Sequence, residues 1–157
     1  MHRRANGFTL IELVVTVAIV GLLAAMAAPL LETTVRRGKE QELKAALMEL
    51  RNAIDAHKDA ADRARIERSV DGSGYPPRLE LLVEGVVDRT SAAGARIYFL
   101  RRIPRDPFAD PALPAVETWG LRSSDSPHDA PRAGKDVFDV RSLSAGKGLD
   151  GTLYRDW

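Results

Sequence analysis

The sequence predicts an α+β fold in which one long amino-terminal helix packs on a small antiparallel β-sheet. Three observations carry that expectation. Residues 8–31 are almost unbroken apolar sequence, and beyond them apolar residues recur at threes and fours. Residues 69–77 then hold two glycines and two prolines, enough to stop any helix. The carboxy-terminal half carries short β-prone segments between polar loops rich in Ser, Asp, Pro and Gly.

The apolar stretch is long enough to cross a bilayer, for which about 20 residues suffice. It is too long and too intact for the core of an ordinary secretory signal. Gly21 and Pro29 interrupt it; Pro29 removes a backbone donor and crowds the preceding turn, which predicts a kink. Next, Val35, Leu43, Leu47, Leu50 and Ile54, with Ala46, Ala53 and Ala61, define one stripe of a helix reaching to about residue 65. Glu40 and Lys44 form a favourable pair one turn apart. The run is short and alanine-rich, so a coiled coil is the weaker reading.

A shorter helix is expected over residues 78–84, with Leu79, Leu82 and Val83 inward. Residues 97–100 are β-prone, and residues 104–114 are proline-punctuated and irregular. Thr118-Trp119-Gly120-Leu121-Arg122 and residues 137–143 read as strands, with a loop over residues 123–135 between them.

Composition narrows the chemistry. The formal charge of +1 builds no concentrated basic face, which argues against nucleic acid as a partner. The run Arg101-Arg102-x-x-Arg105 fits a solvated rim or ion pairs to a neighbouring subunit better than a DNA contact. With no cysteine, zinc-thiolate sites, thiol catalysis and disulfides are excluded. Nothing resembles a nucleophile elbow. His57 falls near an amphipathic boundary, where a solvated or half-packed ring is expected, and His128 sits in a polar loop. Trp119, Trp157, Tyr75 and Tyr98 read as core aromatics, and no enzymatic activity is expected.

One residue stands apart. Glu12 places a carboxylate inside a segment of hydrocarbon length, where an ionisable group is costly and calls for a partner. Phe8 lies four residues earlier on the same helix face, about 6 Å away along the axis. An amino terminus created at Phe8 would supply an ammonium to offset the cost of that carboxylate. The alternative is an acid tolerated at a membrane interface.

The string Gly7-Phe8-Thr9-Leu10-Ile11-Glu12-Leu13, after a short polar leader carrying Arg3 and Arg4, resembles the processing signal of type IV pilins and type II secretion pseudopilins. The resemblance implies cleavage after Gly7 by a prepilin peptidase, methylation of Phe8, and a role for Glu12 in pairing with a neighbouring subunit during assembly. Pro29 also matches the pattern. Further along, Gly74-Tyr75-Pro76 with Leu79 and Leu82-Val83 looks like the major-pseudopilin branch of type II secretion. So do Tyr98-Phe99-Leu100 leading into Ile103-Pro104-x-Asp106-Pro107, and the segment 136–144. Departures lie between Pro107 and Trp119 and after Leu121, where the spacers are long.

The resemblance implies a pilin-like fold divided into a leader (1–7), a membrane and filament-core helix (8–31), an amphipathic half of the stem (32–66) and a small head (67–157). It implies an inner-membrane protein with a single pass and a periplasmic carboxy-terminal domain. The basic residues alone leave orientation open, since Arg36, Arg37 and Lys39 flank the far end. Implied partners are further copies of the chain in a helical homopolymer, minor pseudopilins, the prepilin peptidase, and an inner-membrane assembly platform with its cytoplasmic ATPase. A pilin of a type IV pilus or competence system is the runner-up, against which the missing cysteines and the Ile-Pro-x-Asp-Pro motif weigh. A membrane-tethered binding or enzyme domain that never polymerises is the rival from another class.

The same branch implies a calcium site in the carboxy-terminal loop, with Leu143 and Asp150 as ligands. Calcium takes six to eight oxygens on a loop that wraps it. Residues 143–152 offer backbone carbonyls, one matching aspartate and permissive glycines, but also Lys147, and the loop is shorter and poorer in aspartate than the family's. The alternative is a plain glycine turn in which Asp150-Gly151 closes a hairpin.

Overall fold

A computed structural model describes residues 9–68 and 72–157, with the side chains of residues 25–30 outside that description. In chain order it holds α1 (Leu10–Asp62), α2 (Leu81–Glu84), β1 (Val86–Val87), β2 (Arg96–Ile97), β3 (Trp119–Arg122) and β4 (Asp139–Ser142). Short 3-10 turns occupy Ala115–Thr118 and Tyr154–Asp156. The fold is α+β, as the sequence predicts, with a long amino-terminal helix and small antiparallel sheets. The chain forms two compact units, Met1–Gly38 and Lys39–Trp157.

In the first unit the backbone is helical from Leu10 onward, through Gly21 and Pro29. Its described apolar side chains meet no core: Leu10, Val17 and Leu23 are each more than 60 % exposed. Val35, expected in the buried stripe, is also exposed, because nothing in this unit covers it. Among the described residues, no helix is long and apolar enough to cross a membrane.

The second unit owns the core. Leu43, Ala46, Leu47, Leu50, Ala53 and Ile54 bury the helix face that the periodicity predicts. They meet Leu79, Leu82, Leu100, Trp119, Val137, Val140 and Tyr154 from the rest of the unit. Ala60, Ala61 and Ile66 form a satellite cluster. His57, expected to be solvated or half-packed, is buried at 4 % exposure. Its Nδ1 bonds the Gly74 carbonyl at 3.1 Å and its ring leans on Phe99, so the loop closes over it.

The helix stops at Asp62, a few residues before the expected end. The Arg65 N–H reaches back to the Ala60 carbonyl and the Ala64 N–H to the Ala61 carbonyl, while Ala64 takes φ +54°. That is the left-handed helix terminus usually built on glycine, here built on alanine.

The single sheet of the sequence reading is two separate two-stranded ladders. One pairs β1 with β2, Val86 opposite Ile97. The other pairs β3 with β4, Trp119 opposite Ser142 and Arg122 opposite Asp139. Gly85 turns the chain from α2 into β1 at φ +74°, and the Tyr98 ring packs where a Cβ would stand, 2.8 Å away. The Phe99 and Leu100 N–H groups both donate to the Leu82 carbonyl at 3.0 Å, which docks α2 on the segment after β2.

Candidate functional site

Glu12 stands in the first turn of α1. Thr9 caps that turn: its Oγ1 accepts the Glu12 N–H at 3.3 Å, and its carbonyl accepts the Leu13 N–H. The Thr16 hydroxyl donates to the Glu12 and Leu13 carbonyls at 2.8 and 2.9 Å. Both threonine hydroxyls thus bond backbone groups of the first turns, and Thr16 donates within the helix, a use of Thr suited to surroundings without water. The carboxylate of Glu12 is left exposed, and among the described residues no hydrogen bond or ion pair closes on it. Gly7 and Phe8 lie outside the described residues. The helical backbone at Pro29 is described and its side chain is not.

Around Glu12 the apolar side chains cover every face. Ile11, Ile19, Leu23, Leu13 and Val14 follow one another around the helix axis and are all more than half exposed. A helix that is apolar all round is stable only inside an apolar medium, either lipid or other protein. Glu12 is thus the carboxylate within this exposed apolar surface.

At the other end of the chain, Asp150 sits in a turn. The Gly148 N–H donates to the Thr152 carbonyl at 2.7 Å, the Gly151 N–H to the Gly148 carbonyl at 2.9 Å, and Lys147 pairs with Leu153 as an antiparallel bridge. Gly151 supplies the positive φ of +85°. Asp150 Oδ1 accepts the Thr152 N–H at 3.0 Å and the Thr152 hydroxyl at 2.6 Å. Those bonds, helped by the charge of Lys44, hold the carboxyl below its ordinary range. The Leu143 side chain lies over Gly120 in β3. Among the described residues, no group of three or more His, Cys, Asp or Glu gathers as a metal site.

Three carboxylates, Glu40, Asp106 and Asp136, hold the head together, a role the sequence reading gave to none of them. Glu40 Oε1 accepts the Leu149 N–H and the Tyr154 hydroxyl, both at 2.9 Å. Asp106 and Asp136 are buried at 1 % and 2 % exposure. Burial raises the carboxyl of Asp136, but hydrogen bonds from Ser124, Ser123 and Ser73 outweigh that and bring it down to about 2. The Ile-Pro-x-Asp-Pro string was a signal for Asp106; for Glu40 and Asp136 nothing in the local sequence announced a partner so distant.

Comparison with known proteins accords with this geometry. Residues 2–28 match the family described as the prokaryotic N-terminal methylation motif. The type II secretion system core protein G of Aeromonas hydrophila is 30% identical over 113 residues, 69% of this chain and 71% of that protein. That of Vibrio cholerae is 30% identical over 112 residues, covering 69% and 68% of the two chains. That of Escherichia coli K12 is 29% identical over 111 residues, covering 68% and 69%. No solved structure matches. The likeness runs well past the methylation motif into the head, and this chain therefore belongs to the type II secretion system core protein G family.

Proposed function

We propose that the chain is a structural, non-catalytic subunit of a type II secretion pseudopilus. A prepilin peptidase cuts after Gly7 and Phe8 becomes the methylated amino terminus. The subunit then waits in the inner membrane as a single-pass protein, residues 8–31 in lipid and the head in the periplasm. An assembly platform driven by a cytoplasmic ATPase adds it to a helical homopolymer, whose tip carries minor pseudopilins. The growing filament helps to export folded proteins through the outer membrane.

The observation that carries this reading is the first half of α1, with apolar side chains exposed on every face and Glu12 the one charged residue of 10–31. Lipid covers those faces before assembly; the stems of neighbouring subunits cover them afterwards. Glu12 pairs with the Phe8 ammonium of a neighbour, which sets register as each subunit enters. A buried carboxylate left without that ammonium costs several kcal/mol, so misregistered addition is disfavoured. Pro29 weakens the helix where extraction from the membrane requires it to yield.

The test is an intact mass of the protein from cells making an active prepilin peptidase. The expected product begins at a methylated Phe8, and Gly7→Ala blocks its formation. Glu12→Ala leaves membrane insertion intact and abolishes assembly into filaments. Retention of residues 1–7 in the wild-type protein contradicts the reading.

A further inference from the structure

A calcium loop offers oxygens to a cation. The carboxy-terminal turn of this chain does the reverse, offering donors to a carboxylate. Glu40, on the buried face of α1, takes the Leu149 N–H and the Tyr154 hydroxyl on one oxygen, each at 2.9 Å. Tyr154 is itself clamped, stacked on Phe108 at 4.2 Å between ring centres and edge-on to Trp157 at 4.9 Å.

The inside of the turn is filled by protein. A Cβ on Gly148 would stand 2.5 Å from Trp157 Cζ2 and 2.6 Å from Asp150 Oδ1, so both groups pack directly on that glycine. Asp150 spends its Oδ1 on the Thr152 amide and hydroxyl, and the Trp157 indole N–H donates to the same hydroxyl at 2.5 Å. The charges beside it also oppose a cation. Lys44, Arg51 and Lys147 line the same groove as Asp150 and Asp156, and the Lys44 ammonium lies 4.3 Å over the Trp157 ring. Calcium binding would require six to eight oxygens at about 2.3–2.6 Å where this turn presents filled hydrogen bonds and cations.

We propose that the head of this chain is ordered without calcium, its carboxy-terminal turn being anchored by Glu40 and locked by the Asp150–Thr152–Trp157 chain of hydrogen bonds. A stem-helix carboxylate fastens the loop where the family resemblance implies a metal. The proposal concerns the head alone and is independent of processing and assembly, so either can fail without the other.

The test is thermal unfolding of the full chain in detergent, with EGTA and with excess calcium. Equal melting temperatures are expected. A calcium site at a hundredfold excess over its Kd would raise the melting temperature by roughly 10 °C, and such a rise overturns the proposal. Glu40→Ala keeps helix propensity and removes the anchor; it is expected to lower melting by roughly 5 °C whether or not calcium is present. Should that variant not accumulate, Tyr154→Phe, which keeps the ring stacking, is expected to show a smaller loss in the same direction. Melting unchanged in the available variant overturns the role of Glu40.

Discussion

Asp106 Oδ2 accepts the hydroxyl of Ser142 at 2.5 Å across 36 residues of sequence, and both side chains are buried. The other oxygen of Asp106 takes the Phe108 N–H at 2.8 Å. Thr118 Oγ1 accepts the Asp106 N–H, and the Trp119 indole donates to the Pro104 carbonyl at 2.8 Å. The Ile103-Pro104-x-Asp106-Pro107 segment is thereby fastened to β3 and β4, and its aspartate serves the fold.

Removing that carboxylate strands a buried hydroxyl and an amide. Asp106→Ala is expected to cost about 2–4 kcal/mol and Ser142→Ala about 1–2 kcal/mol. In urea unfolding, the double variant is expected to cost less than the two singles added together, because both report one bond. Strict additivity would mean the two groups are not coupled.

Ala64 gives a prediction of opposite sign. It holds the left-handed conformation at the exposed end of α1, where a Cβ is unfavourable. Ala64→Gly is expected to raise stability by about 0.5–1 kcal/mol, although glycine lowers it at ordinary positions. A loss on that substitution would contradict the geometry of the helix end.

Acid is expected to weaken the head in two stages. Burial holds His57 below its ordinary value of 6.5, against a partial lift from the Gly74 carbonyl. The unfolded chain takes that proton more readily, so stability is full above about 6.5 and falls as pH drops below it. Asp88, through Arg65 and then Thr90, is lowered to about 2, as is Asp136. Their contribution is full above the ordinary value of 3.8 and is lost as pH falls through 2. Asp136→Asn is expected to cost roughly 2 kcal/mol at neutral pH and to flatten the second stage in melts taken across pH.

The helical half of this protein was legible because periodicity is a signal repeated over many residues. Leu43, Leu47, Leu50 and Ile54 are all buried as their spacing predicts. Strands β3 and β4 were legible from aromatic and β-branched residues between polar loops. The β1–β2 ladder was not, since two-residue strands are too short to show alternation. The end of α1 was misplaced because alanine stands where glycine ordinarily marks a helix terminus. Glu40 read as a partner of Lys44 one turn on, yet its long-range donors, the Leu149 N–H and the Tyr154 hydroxyl, lie more than a hundred residues away. Lys44 covers the Trp157 ring. His57 and Val35 were misjudged for a shared reason: whether a boundary position is covered depends on what the distant chain lays over it.

The most direct measurement compares secreted proteins and surface pili in a strain lacking this gene and in the same strain complemented. Specific exoproteins are expected to vanish from the medium and accumulate in the periplasm, with pili intact, and complementation with Glu12→Ala is expected not to restore export. Normal export with lost pili, motility or DNA uptake would contradict it.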